Sequence, residues 1–378
     1  MLNAWSTPHW PPPPRPDVNA PAGQPVLALN AGSSSLKYGL YRVASGAAEK
    51  LLGGAESSAD EVGDAVGRIV ATLAVRGLPA PVAVGHRIVH GGLHCRRHTL
   101  IDDGVIRQLE AAAVFAPLHV PPALALLAHA RERFPSIPQV ACLDTAFHAD
   151  MPEIARTLPL PADLRTLGVE RYGFHGLSCE SIVRQLGDAL PPRLVIAHLG
   201  HGASVTAVAR GRSVDTSMGL TPTGGVVMST RCGDLDPGVL TYLVRERGCS
   251  AADLERVIDE RSGMLGISDL SGDMRALEAA AATHPAARLA IEIFCYSVRK
   301  AIAGMAAVLG GIDLLVFTGG IGENAPRSRA LICTNLEAFG IRSGADRVRV
   351  IATHEEEQIA LHTQALTFSR GVRGPAPD

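Results

Sequence analysis

Three short loops built from small residues are the segments of this sequence best suited to chemistry. They occupy Asn30 to Ser35, Gly200 to Ser204 and Thr318 to Asn324, and each follows an apolar run that predicts a buried strand. Small residues leave backbone N–H groups open to an anion, because no bulky side chain blocks its approach. One such loop is typical of an ordinary turn, but three at strand ends indicate a protein that handles phosphate.

The loops do not match the two commonest nucleotide-binding motifs. The chain contains no Gly-x-x-x-x-Gly-Lys-Ser/Thr sequence, and Gly319-Gly320-Ile321-Gly322 lacks the glycine spacing of a dinucleotide fingerprint. The sequence therefore disfavours both a P-loop nucleotidase and a Rossmann dehydrogenase.

Charged side chains between the loops suit phosphoryl transfer, in which the moving group needs positive donors and its metal needs oxygen ligands. Arg87 precedes a diglycine, Arg231 lies in a polar loop before a predicted helix, and Asp144 ends an apolar strand. Either arginine could instead form a surface ion pair, and Asp144 could cap a helix. The candidates are Arg87, His119, Asp144, His175, Arg231 and one carboxylate among Glu355, Glu356 and Glu357.

Four histidines recur at every fourth residue, a spacing that could place metal ligands on one face of a helix. They are His86, His90, His94 and His98. The intervening Gly91-Gly92 would break such a helix, and Arg96-Arg97 would repel a cation. This pattern therefore disfavours a metal site.

A repeated pattern of elements must position these groups. An apolar strand, a polar turn and a second strand span residues 26–43, and the same arrangement recurs over residues 194–208. The repeat predicts two α/β halves of related design with a ligand cleft between them. A further strand, 313–317, precedes the third loop, which is predicted as a glycine turn before a helix that starts near Ala325 or Pro326. Helical patterns cover 105–114, 123–133, 178–190, 251–258 and 287–309.

Composition excludes several classes of function. The 378 residues include 35 Lys and Arg against 37 Asp and Glu, so the chain has no electrostatic footprint for nucleic acid or an anionic membrane. The longest apolar stretch, 301–317, contains Asp313 and is too short to span a bilayer. Seven scattered cysteines without a CxxC pair, and the lack of a secretory signal, predict a reducing cytoplasm.

The motifs together resemble those of the acetate kinase family from about residue 26 to about residue 363. The matching segments are 29–37, 85–92, 117–122, 144–148, 171–176, 198–200, 215–222, 231–237, 262–268 and 317–324. This resemblance implies the superfamily of actin, sugar kinases and heat-shock chaperones, with two duplicated ribonuclease-H-like (actin-like) ATPase domains. We expect a flexible, proline-rich tail over residues 1–25. The N-terminal domain then covers 26–149 and is completed by 357–378, and the C-terminal, nucleotide-binding domain covers 150–356.

The resemblance also implies an activity, namely reversible in-line transfer of the γ-phosphoryl group of ATP to acetate, which yields acetyl phosphate and ADP. Asn30 and Glu355 would help to place Mg²⁺ or Mn²⁺, and Asp144 would orient the acyl carboxylate. Arg87 and Arg231 would bind the carboxylate and the phosphoryl group in flight, and His175 would stabilise that group with His119 nearby. A homodimer is expected on the same basis.

Two binding surfaces follow from the resemblance. Val89, Leu118, Phe174 and Pro222, together with Arg87, would form the pocket for the acyl group. The residues expected to bind nucleotide are Lys37, His198, Gly200, His201, Gly202, Asp273, Met274, Arg275, Gly320, Ile321, Gly322 and Asn324. His201 departs from the family pattern, which usually has Asn in this loop.

Alternative functions remain open at this stage. Propionate and butyrate kinases share these loops, and an apolar pocket rejects one extra methylene by only about 1–3 kcal/mol. A chaperone-type ATPase or a nucleotide-binding sensor would keep the phosphate loops without an acyl pocket. A purely structural sheet protein would leave the three loops unexplained.

Overall fold

Two mixed β-sheets form the framework of the protein. The computed structural model describes residues 23–32, 35–57 and 62–368. The first sheet has the strand order β3-β2-β1-β4-β6-β5, and the second has the order β11-β10-β7-β8-β9. The strands of the first sheet are β1 (Gln24–Ala31), β2 (Ser35–Ala44), β3 (Ala47–Ser57), β4 (Ala83–Ile88), β5 (Thr99–Leu100) and β6 (Gln139–Leu143). Those of the second are β7 (Arg193–Leu199), β8 (Ala203–Ala209), β9 (Arg212–Thr216), β10 (Leu314–Thr318) and β11 (Val348–Val350).

The two sheets share one topology. In the first, β1 pairs antiparallel with β2 and parallel with β4, and β2 pairs antiparallel with β3. In the second, β7 pairs antiparallel with β8 and parallel with β10, and β8 pairs antiparallel with β9. This duplication confirms the predicted α/β fold with two halves of related design.

Apolar composition places the parallel strands at the centre of each half. All five residues of β6 and all five of β10 are buried, as expected for parallel strands that are covered by helices on both faces. The polar loops at the carboxyl ends of these strands therefore meet at one edge of each sheet, where ligands bind in open α/β sheets.

Helices cover the faces of both sheets. Those between β3 and β7 are α1 (Val62–Val75), α2 (Asp103–Ala111), α3 (Val120–Arg133), α4 (Glu153–Arg156), α5 (Ala162–Thr166) and α6 (Gly176–Leu186). Those after β9 are α7 (Pro237–Arg247), α8 (Ala251–Glu255), α9 (Gly263–Ser268), α10 (Met274–Ala280), α11 (Pro285–Leu309), α12 (Gly319–Asn324), α13 (Pro326–Cys333) and α14 (Glu355–Phe368). None of the helices within the described ranges combines the length and apolar character that a membrane span requires.

The last helix returns to the first sheet. Ile359 and Ala360 of α14 pack with Val26 and Ala28 of β1 in one buried cluster. Gly85 of β4 permits this contact, because a Cβ there would lie 2.1 Å from Thr363 Oγ1 and 2.6 Å from Ile359 Cγ2. The packing brings the start of α14, at Glu355, to the carboxyl end of the first sheet.

The third loop differs from its sequence prediction. Residues 319–324 form the short helix α12 and not an open glycine turn. The helix is held by polar side chains at its two ends, since Asn324 Nδ2 donates to the carbonyl of Gly320 and Glu323 Oε1 accepts from the N–H of Gly319. The predicted helix near Pro326 follows as α13.

Two other predictions concern the start of the chain. The proline-rich tail falls almost entirely on residues 1–22, which lie outside the described residues. The first strand begins at Gln24, two residues before the predicted start at Val26.

Candidate active site

A cavity of about 480 Å³ lies at the carboxyl ends of the parallel strands, where the two halves face each other. Most of the residues predicted for the site line it. They are Asn30, Lys37, Arg87, Val89, His119, Asp144, Phe174, His175, His198, Gly200, His201, Gly202, Pro222, Arg231, Gly320 and Glu355.

The remaining predicted residues lie outside this lining. Leu118 has half of its surface exposed to solvent, Met274 is buried, and Asp273 caps α10 while its carboxylate pairs with Arg275. Ile321, Gly322 and Asn324 belong to α12, next to the lining residue Gly320. Their roles in nucleotide binding, and that of Leu118 in acyl binding, stay predictions.

A buried ion pair organises the side of the cavity formed by the first sheet. Arg87 Nε and Nη2 donate to Asp144 Oδ2 at 2.9 and 2.5 Å, and Arg87 Nη1 donates to Asn30 Oδ1 at 3.1 Å. Asn30 Nδ2 in turn donates to Glu355 Oε2 at 2.9 Å and to Glu356 Oε1 at 2.8 Å. One hydrogen-bonded chain therefore joins β4, β6, β1 and α14.

Opposing effects set the protonation of these groups. Burial alone would lower the pKa of Arg87, but the carboxylates of Asp144 and Glu355 raise it above its ordinary value. Burial raises the pKa of Asp144, and the guanidinium of Arg87 opposes that shift. The positive charge of Arg87 offsets the energetic cost of burying these carboxylates close together.

The acidic groups fit a hard divalent cation. Asp144 Oδ1 is buried and has no hydrogen-bond partner, although it is one of the strongest acceptors in the site. Asn30 and Glu355 add amide and carboxylate oxygens within the same chain of contacts. Oxygen ligands of this kind are those that Mg²⁺ prefers.

Two stacked imidazoles form the opposite wall. The rings of His175 and His198 lie 4.1 Å apart between centroids, at an angle of 23°. His175 Nδ1 lies 2.9 Å from Ser204 Oγ, and His198 Nδ1 lies 2.8 Å from Ser178 Oγ. Both histidines have pKa values below their ordinary range, chiefly because they are buried, and the charge of Arg87 lowers both further. The carboxylate of Glu355 opposes the shift of His198, whose pKa is about 4.

Local backbone geometry explains where His175 points. It precedes α6 with a φ of 59°, a left-handed conformation that costs energy for a residue with a side chain. The next residue, Gly176, packs against the end of β6, because a Cβ there would lie 2.3 Å from the carbonyl oxygen of Asp144. The strained turn thus holds the backbone of His175 at the end of β6, and its side chain lines the cavity.

Arg231 reaches the cavity from the second half. Its Nη2 lies 3.1 Å from His119 Nε2, and its Nη1 donates to the carbonyl of Pro222 at 3.1 Å. Because an arginine can only donate, His119 accepts through Nε2 and is a neutral ring. Burial, followed by the charges of Arg231 and Arg87, lowers the pKa of His119 to about 3.

Sequence reasoning missed several residues that support this arrangement. Thr223 Oγ1 donates to Asp259 Oδ1, and Thr230 Oγ1 donates to the carbonyl of Asp259, so Asp259 fixes two points of the segment that precedes Arg231. Asp259 lies in a single π-helical turn, Arg256–Glu260, where an ordinary helix was predicted. Such turns are frequent at functional sites, but the sequence pattern did not predict this one.

A second group of titratable side chains lies outside the cavity. Glu180 of α6 contacts His362 of α14 at 2.6 Å and lies 3.5 Å from His98. His98 Nδ1 accepts from the N–H of Leu143, so the ring carries its proton on Nε2 and faces Glu180 as a donor. Since a metal-bound nitrogen must be unprotonated, His98 cannot offer Nε2 to a metal, and the group is suited to hydrogen bonding between α6 and α14.

Comparison with known proteins identifies the family to which the chain belongs. The model of the acetokinase family matches residues 56–368. The chain is 40% identical over 392 residues to acetate kinase 2 of Neisseria meningitidis serogroup B, covering 91% of this chain and 98% of the relative. The chain belongs to the acetokinase family. It is also 41% identical to the acetate kinase of Deinococcus radiodurans, covering 92% of this chain and 99% of that protein.

Solved structures agree with this membership. The crystal structure of Porphyromonas gingivalis acetate kinase superposes with a TM-score of 0.78 at 34% identity, covering 91% of this chain and 99% of that one. A propionate kinase from Francisella tularensis superposes with a TM-score of 0.82 at 34% identity, covering 91% of this chain and all of that one. The family resemblance inferred from the motifs is therefore confirmed.

The buried neutral histidines predict a strong dependence of stability on pH. The pKa values of His86, His90 and His148 fall to about 4 in the folded protein, mainly because burial disfavours the charged ring. Their ordinary value is 6.5, so the unfolded chain binds protons first as the pH falls. Stability is therefore fully present above pH 6.5 and is lost as the pH falls toward 4.

Urea unfolding at pH 7, 6 and 5 tests this expectation. One proton taken up on unfolding lowers the free energy of unfolding by about 1.4 kcal/mol per pH unit. Because several histidines take up protons on unfolding, we expect the free energy of unfolding to fall more steeply than this. His86→Gln removes one of these groups, so the slope of the free energy of unfolding against pH should correspond to about one proton fewer. A free energy of unfolding that stays constant from pH 7 to pH 5 would contradict the assignment of neutral rings.

Proposed function

We propose that this protein is an acetate kinase that transfers the γ-phosphoryl group of ATP to the carboxylate of acetate, reversibly, to form acetyl phosphate and ADP. The observation that carries the proposal is the convergence of two arginines, Arg87 and Arg231, and the neutral ring of His175 on one cavity in a chain of the acetokinase family. These donors suit an acceptor and a phosphoryl group that are both anionic.

Arg87 and Arg231 have the positioning role in this mechanism. Each guanidinium donates a hydrogen bond to a protein acceptor, which is Asp144 for Arg87 and the carbonyl of Pro222 for Arg231. Their orientations are therefore set before substrate arrives, and binding costs less reorganisation. A carboxylate acceptor is already ionised near neutral pH, so no general base is required.

The chemical step is a single displacement. An acetate oxygen forms a bond to the γ-phosphorus while the bond from phosphorus to the β,γ-bridging oxygen breaks, and that bond's electron pair leaves with ADP. His175 donates a hydrogen bond to the phosphoryl oxygens as their charge redistributes. Gly200 and Gly202 leave the space beside this path free of their own side chains, and the N–H of Gly200 donates to the carbonyl of Gly202.

A divalent cation fits the acidic side of the site. Asn30 and Glu355 would hold Mg²⁺ or Mn²⁺, with Asp144 close by, because these residues offer hard oxygen ligands. When bound, such an ion neutralises phosphate charge. The protein's own contribution is to fix the orientation of Arg87 through its hydrogen bonds to Asn30 and Asp144.

The acyl pocket is small and apolar. Val89, Phe174 and Pro222 line it, and Phe174 is fully buried. Such a wall distinguishes acetate from propionate by only about 1–3 kcal/mol. Because a propionate kinase superposes on this chain with a TM-score of 0.82, propionate is the alternative acceptor.

Trapping of acyl phosphate as the hydroxamate tests the activity. With ATP and Mg²⁺, we expect kcat/KM to be highest for acetate, lower for propionate and lowest for butyrate. Arg231→Ala should lower kcat roughly 100- to 1000-fold, because a donor to the transition state is lost. Arg349→Ala, at an exposed arginine outside the cavity lining, is the matched control and should retain activity within about twofold.

Two outcomes would revise the proposal. A higher kcat/KM for propionate would make the protein a propionate kinase with the same chemistry. ATP hydrolysis without hydroxamate from any of the three acids would show the phosphate site to be real and the acyl acceptor to be wrong.

We also propose a homodimer in which α7 contributes to the interface. Helix α7 buries none of its residues within the chain, although it carries Val239, Tyr242 and Val244, each at least 40% exposed. An apolar helix surface of this kind is typical of an interaction site. A second copy of the chain is the partner that the family resemblance implies.

Light scattering coupled to size-exclusion chromatography measures the assembly directly. The 39.5 kDa chain should elute with twice that mass, and Tyr242→Asp should shift it toward the monomer. Val75→Asp, at an exposed valine of α1, is the control and should leave the mass unchanged. A wild-type monomer, or a Tyr242→Asp variant that stays dimeric, would contradict the role of α7.

The cysteines support a reducing compartment. All seven are free thiols, and five of them are buried. Thiols persist in the cytoplasm and are oxidised in pairs outside it. We therefore infer a cytoplasmic location.

A further inference from the structure

Two buried serines lie behind the two imidazoles of the cavity wall. Ser204 of β8 and Ser178 of α6 are both fully buried. Each hydroxyl has one hydrogen-bond partner among the described residues, which is Nδ1 of His175 for Ser204 and Nδ1 of His198 for Ser178. Ser204 is the last residue of the second predicted phosphate loop, without an individual role assigned to it, and Ser178 is not among the residues predicted from the sequence to act in the site.

The number of available partners decides the direction of each hydrogen bond. A hydroxyl has one proton to donate, and a neutral imidazole has one ring nitrogen that donates and one that accepts. If Nδ1 of His175 donated to Ser204 Oγ, the hydroxyl proton would be buried without an acceptor, at a cost of about 1–3 kcal/mol. If the hydroxyl donates to Nδ1, its proton has an acceptor and no buried proton of the contact is left unpaired. The second arrangement places the ring proton on Nε2.

The surroundings favour the neutral ring over the doubly protonated one. Burial is the main cause that disfavours a positive charge on His175, and the guanidinium groups of Arg87 and Arg231 disfavour it further. An imidazolium would also need an acceptor at Nδ1, where the serine hydroxyl already donates. His175 is therefore held as one tautomer of one charge state.

The remaining nitrogen of each ring faces the second glycine loop. His175 Nε2 lies 3.3 Å from the position that a Cβ on Gly202 would occupy, and His198 Nε2 lies 3.7 Å from the corresponding position on Gly200. Both glycines line the cavity. The absence of a side chain at Gly200 and at Gly202 thus leaves the two Nε2 positions open toward a bound anion.

We propose that Ser204 and Ser178 are positioning residues that fix His175 and His198 in the tautomer with the proton on Nε2, so that both rings present neutral N–H donors to the phosphate groups. This inference deepens the proposed phosphotransferase and rests on it for its kinetic consequence. The tautomer itself does not depend on the reaction, because the serines set it in the protein before substrate binds. The arrangement supplies donors in the right direction without adding two more positive charges beside Arg87 and Arg231.

Ring ¹⁵N chemical shifts measure the tautomer directly. In the full-length protein labelled with ¹⁵N-histidine, the two nitrogens of each ring give distinct signals that differ between the tautomers and the imidazolium. Spectra of His175→Asn and His198→Asn identify the two rings. We expect both to show protonated Nε2 and unprotonated Nδ1 from pH 6 to pH 8 in the wild type, before any substrate is added.

Substitution of the serine links the tautomer to catalysis. In Ser204→Ala, the His175 signals should move toward a mixture of tautomers, and kcat should fall about tenfold while KM for ATP and acetate changes less than about threefold. Ser204→Thr restores the hydroxyl and should restore both the signals and kcat. Ser213→Ala is the matched control, because it removes a hydroxyl 2.8 Å from His148 Nδ1, a ring outside the cavity lining.

The possible results separate the tautomer from the overall activity. A wild-type His175 that is protonated on Nδ1 or on both nitrogens would overturn the proposal, whether or not the Thr variant folds. Unchanged His175 signals in Ser204→Ala would overturn it as well. If the tautomer is as stated but no acyl phosphate forms, the assignment of the reaction fails and the role of the serine in setting the ring stands.

Discussion

The buried ion pair between Arg87 and Asp144 is the constraint on which the site depends. A guanidinium or a carboxylate removed from water without a partner would cost several kcal/mol, so neither residue is tolerable here alone. Their contact requires the carboxyl ends of β4 and β6 to lie side by side, and the parallel pairing of these strands provides this. Asn30 then extends the pair to Glu355, which ties the start of the last helix to the first sheet.

Charge is distributed unevenly across the cavity as a result. The carboxylates lie with Arg87 on the side of the first sheet, and the wall around His175 and Arg231 carries few negative groups. Burial keeps the histidines neutral, so positive charge in the site comes from Lys37 and from the two arginines, which stay protonated at any working pH. The site can thus bind two anions together while its own protonation changes little near neutrality.

Much of the fold and of the site could be predicted from the sequence, because small residues indicate loops and apolar runs indicate buried strands without reference to distant residues. The strand–turn–strand repeat at 26–43 and 194–208 predicts the duplicated sheets, and the strand ends at Arg87 and Asp144 predict the anion and carboxylate positions. Other features depend on long-range packing. Glycines at 319, 320 and 322 predict an open turn, yet side-chain caps from Glu323 and Asn324 make it a helix. Ser204 looks like the last residue of a phosphate loop and Ser178 like an ordinary helix residue, and only the fold places an imidazole beside each.

Single, direct transfer of the phosphoryl group is the central claim, and the stereochemistry at phosphorus tests it most directly. ATP whose γ-phosphoryl group is made chiral with three oxygen isotopes would be converted with acetate, and the configuration of the acetyl phosphate would be determined. One in-line displacement between substrates held by Arg87, Arg231 and His175 inverts the configuration, and inversion is the result that this account predicts. Retention would require two displacements through a phosphorylated side chain, and would contradict it.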